Sequence, residues 1–174
     1  MADEKMVKDI MFSIDQYPFV YENQTVAEAV SRLEAFTCAK GHIQFSDLVV
    51  FNDKEQLAGK VTVFDIVKSM EPRLFQKSGT EKFEGLKSDL KTLAILWADH
   101  FYKDCQNRFN KQIKELMTPI DKIPTLQSTD TLLEAFYVMI QTNTSTLPVL
   151  EGENFVGVIS IGEMFVALMN RCEI

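Results

Sequence analysis

The chain has 174 residues, 46% of them hydrophobic and 25% charged, enough for one good core or two small lobes of a globular protein. Its formal net charge of -7 works against nucleic acid and anionic lipid, whose recognition rests on Lys and Arg neutralising phosphate. No apolar run approaches the roughly 20 residues needed to span a bilayer, and the acidic start MADEKMVKDI lacks the basic and apolar parts of a signal peptide, so no membrane partner and a cytoplasmic location are expected.

The first element is VKDIMF at 7–12, a short apolar segment. QTVAEAVSRLEAF at 24–36 follows, opening with Thr25 and carrying Glu28 three residues on, the capping-box pattern of a helix start. Its apolar positions Val26, Ala29, Val30, Leu33 and Phe36 recur at helical spacing and predict one buried face. The loop CAKGHIQFS leads to DLVVFNDKEQLAGKVTVF at 47–64, two Val-rich runs around an Asn-Asp turn, and therefore a hairpin. The second strand reaches Thr62, and Asp65 follows where a helix over 65–70 begins. A hydroxyl and a carboxylate at that spacing hold a sugar diol or cap a helix, and local pattern leaves both readings open.

Residues 71–112 match nothing else in the chain. Within them Phe83, Leu86, Leu90, Leu93, Trp97, Phe101 and Cys105 step by three and four, predicting a long helix over 80–108 that serves as a linker or as a contact for another chain.

From 113 the pattern repeats. IKELMT at 113–118 answers VKDIMF, and DTLLEAFYVMIQT at 130–142 answers QTVAEAVSRLEAF, both at an offset of 106. Thr131 and Glu134 supply the second capping box, with Leu132, Leu133, Phe136 and Ile140 as the expected buried face. TLPVLEGENFVGVISI at 146–161 is the second hairpin, closing with Gly157 and Ser160 as the first closes with Gly59 and Thr62, before a helix over 163–171. The organisation expected is 1–70 and 113–174 as the two copies, with 71–112 between them.

Chemistry of other kinds finds little support. Cys38, Cys105 and Cys172 are odd in number and far apart, and His42 and His100 have no partner pattern, so neither a metal site nor a catalytic residue is predicted. The methionines lie on predicted apolar faces and read as core filler, and Phe45, Phe51, Phe64, Phe155 and Phe165 are expected to pack the copies together.

Two copies of a short segment ending in D-I-M or E-L-M, then T-x-x-E-A, then a hairpin ending in G-x-x-[TS]-x-x-[DE], resemble a pair of cystathionine beta-synthase (CBS) domains. The resemblance covers about 130 residues and implies an α+β fold, two βαββα-type repeats packed around a pseudo-two-fold axis, here with the helical linker inserted between them. It further implies a regulatory rather than catalytic protein. Such a protein senses an adenosyl ligand, forms a homodimer and acts on a partner in trans. The alternative is a ligand-free dimerisation or scaffolding module that uses the linker helix.

The resemblance also implies two clefts shared between the copies. Cleft one combines Thr62 and Asp65, the latter accepting from a ribose diol, with Met117, Thr118, Pro119, Ile123, Thr146, Leu147 and Pro148. Cleft two combines Ser160 and Glu163 with Phe12, Ser13, Tyr17 and Asp47. Asp47 stands where Thr146 stands in cleft one and Glu163 is longer than Asp65, so cleft two is expected to be degenerate. In cleft one only Lys60, Lys68 and Lys122 are in range of a phosphate. AMP, adenosine or S-adenosylmethionine therefore suits it better than ADP or ATP.

Overall fold

The structure is a computed structural model and describes residues 5–37, 41–70 and 107–171. The first copy runs through strands β1 (Phe12–Ser13) and β2 (Phe19–Tyr21), helix α1 (Val26–Ala35), strands β3 (Asp47–Phe51) and β4 (Leu57–Thr62) and helix α2 (Val63–Met70). The second repeats the order with β5 (Thr118–Pro119), β6 (Leu126–Gln127), α3 (Leu132–Thr142), β7 (Thr146–Glu151), β8 (Asn154–Ser160) and α4 (Ile161–Arg171). A 3-10 turn lies ahead of the first strand of each copy, Val7–Asp9 and Ile113–Glu115.

The local signals form as their chemistry dictates. Glu28 accepts from the Thr25 amide at 2.7 Å while the Glu28 amide donates back to Thr25 Oγ1 at 3.3 Å. Thr131 and Glu134 repeat the exchange at 2.8 and 3.2 Å. Each box satisfies two of the amides that a helix start leaves without partners. The hairpin turn after β3 is closed by Asn52, whose side chain accepts from the Lys54 and Gln56 amides at 2.9 and 3.0 Å.

Two four-stranded sheets result, ordered β2-β3-β4-β5 and β1-β8-β7-β6. Each borrows one strand from the other copy. β5 pairs with β4 (Lys60 opposite Thr118), and β1 pairs with β8 (Phe12 opposite Val158). The exchange continues into the cores, because Val7 is buried among second-copy residues and Ile113 among first-copy ones. Their amides bond across too, Val7 to the Asp130 carbonyl at 2.9 Å and Ile113 to the Gln24 carbonyl at 2.8 Å. Gly59 and Gly157 make this possible, since a Cβ at either would strike the carbonyl oxygen of Thr118 or Phe12.

Strand alternation sorts the side chains into three cores. Leu48, Val50 and Val61 face α1 and α2, and Leu147, Val149 and Ile159 face α3 and α4. On the opposite strand faces Val49, Phe51 and Val158, joined by Tyr17 and Phe45 from the segments before β2 and β3, fill the space between the sheets.

Several expectations are corrected. The buried face of α3 is Leu132, Ala135 and Met139, whereas Leu133, Phe136 and Ile140 are exposed, Leu133 by 68%. That helix is apolar on most sides, so period alone does not choose the inward one. Phe45, Phe51 and Phe155 do pack between the copies, but Phe64 and Phe165 lie more than half exposed on α2 and α4. Those helices start at Val63 and Ile161, two residues earlier than their spacing suggests, which turns Asp65 and Glu163 into first-turn residues. The expected helix over 80–108 lies outside the described residues apart from its last two, which belong to a helical stretch over 107–109, and Cys38, His100, Cys105 and Cys172 lie outside them as well. No helix among the described residues is long and apolar enough to cross a membrane.

Candidate functional site

The strand-to-helix junctions β4–α2 and β8–α4 carry the predicted hydroxyl and carboxylate pairs. At the first, Thr62 Oγ1 donates to Asp65 Oδ2 at 2.7 Å, the Thr62 amide donates to the same oxygen at 3.1 Å, and the Asp65 amide returns a bond to Thr62 Oγ1 at 3.0 Å. This is a capping box built on Asp. It fixes the carboxylate at the mouth of the turn, half-buried, and among the described residues Asp65 Oδ1 accepts no hydrogen bond. At the second junction Ser160 donates to Glu163 Oε2, and the Gly162 amide donates to Ser160 Oγ at 3.2 Å.

Between the junctions lies a polar network that crosses from one copy to the other. Asp47, which opens β3 and is buried, accepts from the Tyr17 hydroxyl at Oδ1 and from the Thr146 hydroxyl at Oδ2. Lys60 Nζ stands 3.7 Å from Asp47 Oδ2 and donates to the Thr146 carbonyl and hydroxyl oxygens at 3.2 and 3.3 Å. A charge this deep persists only when paired and hydrogen-bonded, and here it has three partners. Burial, then the Asp47 charge, pushes the Tyr17 phenol far above its ordinary range, with Glu163 adding to the effect. The phenol is thus a fixed donor at physiological pH.

A cavity of about 10 Å³ sits at this network, lined by Tyr17, Asp47, Lys60 and Thr146 together with Leu48, Val49, Leu147, Pro148 and Val158. It has room for about one water molecule. Beside it Phe12, Tyr17 and Phe45 pack ring on ring, Tyr17 to Phe45 at 4.5 Å and Phe12 to Phe45 edge-on at 5.3 Å.

The residues expected in cleft two come together here. Phe12 and Tyr17 join the inter-sheet core, and Ser13 lies opposite Gly157 on the lent strand. Of those expected in cleft one, Thr118 and Pro119 lie alongside β4, Ile123 is buried, Met117 packs on the first core, and Leu147 sends its side chain into the second core. Thr146, expected in cleft one, bonds directly to Asp47, expected in cleft two, so the two sets meet at the axis. Sequence reasoning missed the Lys60–Asp47 pair and the place of Phe45 against Tyr17. The available signal was an aspartate heading an otherwise apolar strand buried along its whole length.

Comparison with known proteins agrees with this architecture. A model of the CBS domain matches residues 7–72 and 113–170. Among solved structures the chain is similar to CBSX2 in complex with AMP, at 17% identity over 95% of this chain and 97% of that one, with a TM-score of 0.63. It is also similar to the CBS domain pair of protein MJ0100 in complex with 5'-methylthioadenosine and S-adenosyl-L-methionine, at 19% identity over 97% and 99%, TM-score 0.62. A third likeness is the CBS-domain containing protein ATU1752 from Agrobacterium tumefaciens, at 17% identity over 97% and 96%, TM-score 0.62. At these identities the likeness is one of fold. No curated protein matches the chain.

Proposed function

The chain belongs to the CBS-domain family, two copies of whose domain it carries, and from that premise we propose that it is a cytoplasmic regulatory module that binds one adenosyl ligand in cleft one and acts on a partner protein in trans. The reading takes 1–70 and 113–174 as the two copies and assigns no catalytic step and no metal. One observation carries it. Asp65 is held rigidly by Thr62 through one oxygen while the other accepts nothing from the described residues, the arrangement a vicinal diol needs from a carboxylate. Charge-assisted bonds of this kind contribute about 1.5–3 kcal/mol each. Thr118, Pro119, Ile123, Thr146 and Pro148 complete the cleft on this reading, and the ligands seen with CBSX2 and MJ0100 support the chemical class. Cleft two, with Phe12, Ser13, Tyr17, Asp47, Ser160 and Glu163, is then the degenerate one, because rings and a paired carboxylate already fill it.

The test is thermal unfolding of the wild type and Asp65→Ala with adenosine, AMP, S-adenosylmethionine, ADP and ATP. A true ligand at a hundred times its dissociation constant stabilises the folded wild type by about 2.7 kcal/mol. Asp65→Ala should lose that response. No shift with any of the five removes the sensor reading.

A second reading, a dimerisation or scaffolding module, is favoured by one feature. Leu133, Phe136, Tyr137 and Ile140 on α3 and Phe165 and Val166 on α4 expose an apolar face on neighbouring helices. A homodimer joined through this face is compatible with either reading. Sedimentation of Leu133→Glu should then show a folded monomer where the wild type is a dimer.

A further inference from the structure

Lys60 is the one of the three cleft-one lysines that the fold turns towards the axis. Lys68 lies over the Phe64 ring at 4.4 Å, and Lys122 is exposed on the turn after β5. Lys60 shares its strand face with Thr62, two residues on, and has Thr118 beside it on β5, so it stands among the cleft-one residues. Yet its ammonium is already engaged, by Asp47 Oδ2 on the neighbouring strand β3 and, from the other copy, by both oxygens of Thr146. Asp47 is equally committed, with the Tyr17 and Thr146 hydroxyls on its two oxygens. The two charges cancel. A phosphate oxygen in contact with Lys60 would stand within about 7 Å of the Asp47 carboxylate, close enough for like-charge repulsion to offset much of the attraction.

We propose that Asp47 sets the charge selectivity of cleft one: by holding Lys60 in an ion pair from the neighbouring strand of the same sheet it withholds that cation from phosphate, so the cleft takes a nucleoside-type ligand without a phosphate chain. Asp47 is a positioning residue that acts through Lys60. The inference rests on the reading of cleft one as an adenosyl site, and it gives Asp47 a task beyond making cleft two degenerate. In the second copy the equivalent strand position is Thr146, which carries no charge, so the selectivity arises from one residue of one copy.

Calorimetric titration of adenosine and ADP into the wild type, Asp47→Asn, Asp47→Thr, Asp47→Glu and the double variant Asp47→Asn/Lys60→Met tests this. The wild type should prefer adenosine over ADP on the order of tenfold. Asp47→Asn keeps the size and one acceptor oxygen, its amide nitrogen donating where the second oxygen accepted, and should move the ratio of the two dissociation constants towards ADP by a similar factor. Asp47→Thr should do the same if the Asn variant does not fold, Asp47→Glu should keep the wild-type ratio, and the double variant should lose the gain. A merely structural role for Asp47 weakens both ligands alike, so an unchanged ratio in the neutral variants overturns the inference. So does a wild type that binds ADP as tightly as adenosine. A wild type that binds neither adenosine nor ADP overturns the inference whatever the variants do, while the adenosyl reading itself stands or falls on the thermal-unfolding test with all five ligands.

Discussion

The two expected clefts draw their residues from equivalent positions of the repeat, and a handful of those positions differ. Where cleft two has Phe12 and Tyr17, cleft one has Thr118 and Ile123 at the offset of 106. Where Val158 on β8 packs into the inter-sheet core, Lys60 on β4 reaches Thr146 and Asp47. The loop before β3 then supplies Phe45, which adds a third ring to Phe12 and Tyr17 on one side only. One set of equivalent positions is packed into core while the other keeps a polar side chain bonded between the copies. Duplication allows this because the strand exchange, the capping boxes and the glycines hold the frame in both copies independently of what lines the clefts.

The frame is where the two halves should behave alike, and the largest expected effects are there. Gly59→Ala and Gly157→Ala each place a Cβ against a backbone carbonyl of the lent strand, which cannot rotate away as a side chain does. Relief requires undocking that strand, and with it the burial of Ile113 or Val7. Each variant should lose roughly 4 kcal/mol in denaturant unfolding. A loss in one and not the other would break the equivalence of the two exchanged arms.

How far the sequence reached follows the same division. Both capping boxes, both hairpins and the G-x-x-hydroxyl junctions were legible because each lies within one short stretch of chain, and the repeat because those local blocks recur in one register. The network at the axis was not. Asp47 meets Thr146 and Lys60 meets Thr146 across 99 and 86 residues, and no local period encodes a bond between copies. The inward side of α3 was missed for another reason: Leu132, Ala135 and Met139 compete with Leu133, Phe136 and Ile140 at equal helical spacing, and only the sheet beneath decides.

The linings of the clefts should show the asymmetry directly. Phe45 packs against Tyr17, Phe12 and Phe36, the last at 5.6 Å, so Phe45→Ala opens a hole in the inter-sheet core and should lower stability by about 3 kcal/mol. Ile123→Ala, at the cleft-one position equivalent to Tyr17, removes a smaller buried side chain and should lose about 2 kcal/mol. Equal losses, or a smaller one at Phe45, would mean that the rings do not fill cleft two as their geometry indicates.

The smallest effect belongs to the two exposed capping boxes, where the copies are most alike. The backbone amide and then the hydroxyl of Thr25 hold the Glu28 carboxyl below its ordinary value of 4.5, and Thr131 does the same for Glu134. A carboxylate lowered on folding adds stability above its unfolded value, and that stability is lost as pH falls through the folded value. Glu28→Gln and Glu134→Gln keep the box geometry and remove only the charge. In urea titrations both should lie slightly below the wild type at pH 7, Glu28→Gln the further of the two because Gln24 also donates to Glu28 at 3.0 Å, and both should converge on it as pH falls through the folded value. The two helix starts would then differ only by the Gln24 donor, which leaves the axis and the rings as the places where the copies differ most.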